Sequence, residues 1–247
     1  MKTTKAQKYL TIAILSILPS LTACNSSASK EQEKETGTGS PQEQRQGANI
    51  VRKRLDTLGS FSYITNIGSV NIIYTQGDYS IEVEGDSALI PHVKTSFDSN
   101  LLTVSMGTDG NCDINFEGKT SNVTMYVSCP ELKCISICGS GRFESRGKWT
   151  GDDIQTGVLG IGSLKLDSIE CNTFSMQVTA ISHIGIGNLK AKEATILTRT
   201  NAIVDMNVDA EEFVVLNDGN PKMTLTGKAT NLQIKNPKDQ NLKNNME

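Results

Sequence analysis

Four short glycine-bearing stretches punctuate the second half of the chain: Cys138-Gly139-Ser140-Gly141, Leu159-Gly160-Ile161-Gly162, Ile184-Gly185-Ile186-Gly187 and Asn217-Asp218-Gly219-Asn220. Between them apolar residues alternate with polar ones, as at Leu164 and Leu166, Phe174, Met176 and Val178, Ile184 and Ile186, and Ala194 and Ile196. The same parity continues through Met206 and Val208, Phe213 and Val215, Met223 and Leu225, and Leu232 and Ile234. A period of two marks strands with one buried face. Taking Gly139, Gly160, Ala180, Arg199 and Asp218 as equivalent turn positions gives steps of 21, 20, 19 and 19 residues. A repeat of about 20 residues is the coil size of a parallel β-helix, in which each rung hydrogen-bonds to the next and inward side chains stack in register. The sequence therefore predicts an all-β chain wound into a β-helix of five rungs, spaced about 4.8 Å apart.

In this reading the glycines serve the backbone. A corner repeated at one azimuth brings backbones close together and can require positive φ, which glycine reaches without a steric penalty. Asn201 and Asn217 are expected to fill related corners where glycine is missing, because asparagine tolerates the left-handed region. The competing reading is a phosphate-cradling loop, which needs a following helix whose N-terminal amides meet the anion; no segment here has helical periodicity. Upstream, Phe61, Tyr63, Val70, Ile72, Tyr74, Ile81, Val83, Leu102, Val104 and Met106 also sit in alternating runs, separated by Gly68, Gly77-Asp78, Gly85-Asp86 and Asp98-Ser99-Asn100. Residues 107–121 lack periodicity and are expected to protrude as a loop. Pro130 marks a turn or an edge, because proline cannot donate to a ladder.

The first residues follow a different logic. Lys2, Lys5 and Lys8 precede an apolar run from Leu10 to Leu18, which is too short for a bilayer span of about 20 residues and has the layout of a secretory signal. Leu21-Thr22-Ala23-Cys24 resembles the bacterial lipobox, in which the cysteine is acylated and becomes the mature N-terminus. Two or more acyl chains hold a protein stably, at about 0.8 kcal/mol per buried methylene. Asn25 after the cysteine favours the outer membrane. Residues 26–47 are rich in Ser, Glu, Gln, Lys and Gly and are expected to form a flexible stalk. The domain reading is residues 1–23 as lipoprotein signal peptide, 24–54 as lipidated N-terminus and stalk, 55–236 as the β-helix, and 237–247 as a polar tail.

The formal net charge is −3, and removal of the three leader lysines leaves −6, with only Arg52-Lys53-Arg54 as a short basic run. Such a chain lacks the electrostatic footprint of a nucleic-acid partner. Beyond Cys24 lie five cysteines, Cys112, Cys129, Cys134, Cys138 and Cys171, an odd number that leaves at least one unpaired. Cys134, Ser136 and Cys138 share one strand parity, and about 13 Å of extended chain separates the two thiols, too far for a disulfide. The spacing matches no zinc signature, and buried, apolar cysteines are the expectation.

The order of motifs resembles the auto-transporter adhesin head GIN domain family of Bacteroidota and other bacteria. The resemblance is carried by Phe61-x-x-Ile64-x-x-x-Gly68, a strand ending at Gln76-Gly77, Gly85-Asp86-x-x-Leu89, a strand ending at Pro130, and repeated Gly-Ser-Gly corners. Gly139-Ser140-Gly141 matches the corner fully, whereas Gly160-Ile161-Gly162 and Gly185-Ile186-Gly187 carry isoleucine in the middle and the corners around Arg199 and Asn217 depart further. It spans residues 58–236. What it implies is a right-handed parallel β-helix similar to the pectin-lyase scaffold, an adhesive role, and no established catalytic residues. In that phylum an acidic tract after the lipidated cysteine resembles a surface-export signal; here Glu31, Glu33 and Glu35 are interleaved with Lys30 and Lys34. Asp56-Thr57-Leu58, Asp86-Ser87-Ala88 and Asp167-Ser168-Ile169 resemble its O-glycosylation acceptors.

Polysaccharide lyases and hydrolases on such a scaffold need clustered carboxylates, often with calcium and a basic residue. The outward candidates are Asp167, Asp205, Asp209, Glu211, Glu212 and Arg199, with Asp205 and Asp209 sharing strand parity; isolated solvated charges are the plainer reading. His183 is expected to point outward and His92 to lie in a turn. The sole tryptophan, Trp149, is either a core residue or a sugar-stacking platform. The expectation is a non-enzymatic envelope lipoprotein lacking a cofactor or metal, bound to its membrane through Cys24 and presenting its surface to a glycan or protein. The alternative is a polysaccharide-binding or polysaccharide-processing protein on the same scaffold.

Overall fold

The computed structural model describes residues 49–55, 59–106, 123–235 and 242–247. The strands are β1 Ile50–Leu55, β2 Tyr63–Asn66, β3 Asn71–Gln76, β4 Ser80–Asp86, β5 Val93–Asp98, β6 Leu101–Met106, β7 Thr124–Cys129, β8 Cys134–Ile137, β9 Arg142–Thr150, β10 Asp153–Val158, β11 Ser163–Val178, β12 His183–Thr198, β13 Ile203–Asn217, β14 Lys222–Lys235 and β15 Leu242–Met246. A short 3-10 helix, Ile90–His92, precedes β5 and holds His92 in the expected turn region.

The alternation read from the sequence becomes columns of stacked side chains. One column runs through Leu102, Ile64, Ile135, Thr156, Met176, Ile196 and Val215, and all seven are buried. A second, on the neighbouring wall, runs through Met125, Ile72, Phe143, Leu164, Ile184, Val204 and Met223. From β8 onward consecutive rungs pair in parallel, and the chain is a β-solenoid of about five turns with rungs of about 20 residues. Thr156 is the polar intruder in its column, and its hydroxyl is buried with no hydrogen-bond partner. An unsatisfied buried hydroxyl costs roughly 1–3 kcal/mol. Thr156→Val is therefore expected to raise the urea midpoint, by a stabilisation of about 1 kcal/mol.

The register moves two of the expected corners. Ile137 pairs with Val158, Val158 with Val178, Val178 with Thr198 and Thr198 with Asn217, so the equivalent corner positions are Gly139, Gly160, Ala180, Thr200 and Gly219. The fourth and fifth lie one residue beyond Arg199 and Asp218. Gly185 and Gly187 are not at a corner at all: they lie inside β12, where Gly185 pairs with Lys165 and Asp205.

Of the two reasons expected for glycine at the corners, close backbone approach holds and positive φ does not. Among the described glycines, only Gly147 (φ 74°) and Gly227 (φ 101°) have positive φ, and neither is at this corner. Close backbone approach is what excludes a side chain. A Cβ at Gly139 would strike the carbonyl oxygen of Gly68, one at Gly160 that of Gly139, and one at Gly162 that of Gly141. Nor do Asn201 and Asn217 adopt the left-handed conformation. Asn217 works through its side chain, its Oδ1 accepting the Gly219 N–H at 3.2 Å and the Thr198 hydroxyl at 3.1 Å. Asn66 acts alike on Gly68, whose N–H its Oδ1 accepts at 3.3 Å.

Two further layers extend the solenoid, out of chain order. β2 and β3 lie between β6 and β7 on one side and β8 and β9 on the other, so a layer formed early in the chain is covered by one formed later. That end is finished by antiparallel strands: β5 on β6, β4 on β7, and β1 on β4. Residues 50–54, read from the sequence as stalk, thus belong to a strand. Within it Arg52 Nε meets Glu82 Oε2 at 2.6 Å, and its guanidinium lies 4.2 Å from the centroid of the Tyr126 ring. Inward parity in β2 is set by Ile64 and Asn66, so Tyr63 faces outward, contrary to its grouping with the core alternation. Residues 107–121, Cys112, Cys24 and the Asp56-Thr57-Leu58 triplet lie outside the described residues.

Candidate functional site

The lateral face formed by the first half of β11 and its equivalents in β12, β13 and β14 carries an ordered polar surface. Register places Glu170 beside Lys190, Lys190 beside Asp209, and Asp209 beside Lys228, so charges alternate in sign from rung to rung. Glu170 accepts from Lys148 and, at 3.2 Å, from Lys190, while Asp209 meets Lys228 at 3.6 Å. The hydrogen bond from Lys148, then that from Lys190, holds the Glu170 carboxyl below its usual range. Beside this ladder runs an amide column in which Asn207 Nδ2 donates to Asn188 Oδ1 at 2.9 Å and the Thr226 hydroxyl donates to the Met206 carbonyl at 3.1 Å. Two open depressions of about 780 and 690 Å³ lie over these columns, with Ala191 and Ala210 on the floor of the first. Exposed ion pairs are individually worth about 1 kcal/mol or less, but like charges opposite one another are unfavourable, so the ladder chiefly enforces the rung register.

The carboxylates singled out from the sequence are dispersed. Asp167 Oδ2 accepts the Gly147 N–H at 3.1 Å, Asp205 lies 3.8 Å from His183 Nε2, and Asp209 is engaged with Lys228. Asp205 and Asp209 therefore serve different partners and do not converge. Glu211, Glu212 and Arg199 are exposed, and His183 is exposed as its alternation with inward Ile184 predicts. Among the described residues no group of three or more His, Cys, Asp or Glu side chains is assembled to hold a metal ion. Trp149 is 1% exposed, and its Nε1–H donates to the Leu132 carbonyl at 2.9 Å; the structure places it in the core, against Tyr74 and Phe143.

The two described Asp-Ser triplets differ in access. Ser87 is exposed in the turn after β4, where the Ala88 N–H donates to Asp86 Oδ1 at 3.0 Å. Ser168 is half-buried in mid-strand, paired with Asn188 and Lys148. No disulfide joins the four described cysteines. Cys134 and Ser136 share the outward parity and are nevertheless buried, but Cys138 lies past the end of β8 and is exposed and Cys171 is half-buried, which corrects the expectation of buried cysteines. Burial pushes the Cys129 thiol up to about 12, that of Cys134 to about 11 and that of Cys171 to about 12. A thiol with so high a pKa is almost wholly protonated at neutral pH and a poor nucleophile. Alkylation of the folded protein is expected to modify Cys138 before Cys129 and Cys134, which should react only on unfolding; peptide mapping of the labelled sites checks this.

Fold and face together define the class: a β-solenoid scaffold that presents long lateral walls with open depressions over one of them. The chain belongs to the family described as "Putative auto-transporter adhesin, head GIN domain", matched over residues 60–187. It is similar to the crystal structure of a putative adhesin from Bacteroides fragilis NCTC 9343, with 14% identity over 80% of this chain and 94% of that one, at a TM-score of 0.54. A putative adhesin from Parabacteroides distasonis ATCC 8503 is likewise similar, with 15% identity over 81% of this chain and 96% of that one, at a TM-score of 0.50. At such identities the likeness is one of fold. No curated protein matches the chain.

Proposed function

We propose that the chain is a non-enzymatic outer-membrane lipoprotein, acylated at Cys24, whose solenoid head attaches to a glycan or protein on another surface. The observation that carries this reading is an adhesin-family solenoid encoded downstream of Leu21-Thr22-Ala23-Cys24. The dispersal of Asp167, Asp205 and Asp209 among separate partners supports the non-enzymatic character, because acid–base cleavage of a glycoside needs two carboxyl groups held at a defined separation. Among the described triplets Asp86-Ser87-Ala88 is the glycosylation candidate, since its hydroxyl is exposed in a turn. Cells fed a clickable palmitate analogue are expected to label the wild-type protein and to leave Cys24→Ser unlabelled, with the variant released from the outer-membrane fraction. Equal labelling of both would contradict acylation at Cys24. Protease added to intact cells then separates the two faces, and digestion of the head is the expected result.

A further inference from the structure

Along the solenoid axis the charge ladder runs Glu170, Lys190, Asp209, Lys228, opposite in sign at its two ends. Turned end for end, it sets Glu170 against Lys228 and Lys190 against Asp209. The rim across the alanine floor repeats the pattern. Asn172, Lys192, Glu211 and Thr230 occupy successive rungs there, each one position beyond Cys171, Ala191, Ala210 and Ala229, and all four are exposed. The same reversal sets Lys192 against Glu211 and Asn172 against Thr230. In the amide column it sets Asn188 against Asn207 and Ser168 against Thr226. Three columns thus share one centre of reversal, midway between β12 and β13. The outermost charges of the face, Lys148 and Glu247, fall opposite Asn245 and Thr150, so no like pair arises within these columns. Glu193 and Glu212 begin the next wall and line neither depression. Register-keeping accounts for the ion-paired ladder but not for Lys192 and Glu211, which take part in no ion pair among the described residues.

We infer that this face docks onto the same face of a second copy of the chain, through a two-fold axis that lies along the strand direction at that centre. A two-fold contact requires a self-complementary surface, and here every charge of both rims meets one of opposite sign. The rims carry Glu170, Asp209 and Glu211 against Lys190, Lys192 and Lys228, so a polymer charged in one sense meets as much repulsion as attraction. Because the axis crosses the solenoid, the paired heads lie antiparallel. Their β1 ends, from which residues 25–49 lead back to Cys24, therefore point in opposite directions, which suits heads anchored on facing surfaces. The inference rests on the adhesive reading above and names its partner. Four rungs at about 4.8 Å and five residues at about 3.3 Å cover about 300 Å² of each copy. A stable complex needs about 800 Å² from each partner. The contact is thus weak singly, is weakened further by salt, and acts through many copies at once.

The outer rim gives a test that leaves the ladder intact. The full mature chain, biotinylated at residue 24, is coupled to streptavidin beads of two colours, and clustering is counted. Wild-type beads are expected to cluster, and high salt to disperse them. Lys192→Glu opposes two acidic groups at both symmetry-related contacts, and Glu211→Lys two basic ones. Each variant alone is expected to cluster about tenfold less or lower still. A mixture of the two is expected to regain wild-type clustering with the colours interleaved, because the new carboxylate then faces the new ammonium. Both variants should keep the wild-type urea midpoint, since neither residue holds an ion pair among the described residues. Single variants that cluster like the wild type, or a mixture that clusters no better than its components, overturn the proposal. So do wild-type beads that stay dispersed; if those beads still retain envelope polysaccharide or cells, the adhesive reading survives with a partner other than self. Clustering with charge-swap rescue on beads that retain no polysaccharide supports the proposal and removes glycan from the adhesive reading.

Discussion

Gly160→Ala is expected to destabilise the head by about 3 kcal/mol, while Gly185→Ala, in an almost identical Gly-Ile-Gly context, is expected to stabilise it by about 0.5–1 kcal/mol. The opposite signs follow from position. A Cβ at Gly160 would collide with the carbonyl oxygen of Gly139 and the backbone of Cys138, which are held by the rung beneath and cannot rotate away. The overpacked corner has to lift one rung from the next, breaking the Leu159 and Gly160 amide bonds to the Ile137 carbonyl at 2.8 and 3.1 Å. At Gly185 an added Cβ meets nothing within 4 Å. There the substitution only reduces the conformational freedom of the unfolded chain. Against a total stability of about 5–15 kcal/mol the difference is large, and paired urea denaturation curves measure it.

Trp149→Ala is expected to cost about 3–5 kcal/mol, and Trp149→Phe roughly 1–3 kcal/mol. The first substitution empties a site packed between Tyr74, at 5.4 Å between ring centroids, and Phe143, at 6.1 Å. The second keeps most of the volume but leaves the buried Leu132 carbonyl without the indole donor it has at 2.9 Å. A sugar-stacking platform would behave in the opposite manner, losing ligand with little change in stability. Because Trp149 is the only tryptophan, its emission follows unfolding of the wild-type protein directly.

The inward columns were legible because parity is local: Phe174, Met176 and Val178 declare their face without reference to any other rung. Corners were only partly legible. Gly160-Ile161-Gly162 and Gly185-Ile186-Gly187 look alike as text, and what separates them is the register of Ser163 with His183, a long-range property. The same limit hid the charge ladder, since Glu170, Lys190, Asp209 and Lys228 are neighbours only once the rungs are aligned. The interleaving of β2 and β3 between layers built from later strands has no local signature, because each strand has the same half-buried pattern whichever layer it joins. Cys134 and Cys138 share one outward parity, yet only Cys138 is exposed, so parity alone does not tell a covered outward thiol from an open one.

The most direct test of an adhesive, non-enzymatic head is retention of envelope polysaccharides and intact cells on beads coated with the full mature chain, with the bound glycan recovered and sized afterwards. Saturable retention with recovered glycan of unchanged length is the predicted result. Shortened or unsaturated glycan products accumulating with time would contradict the account and make the solenoid a polysaccharide-processing protein.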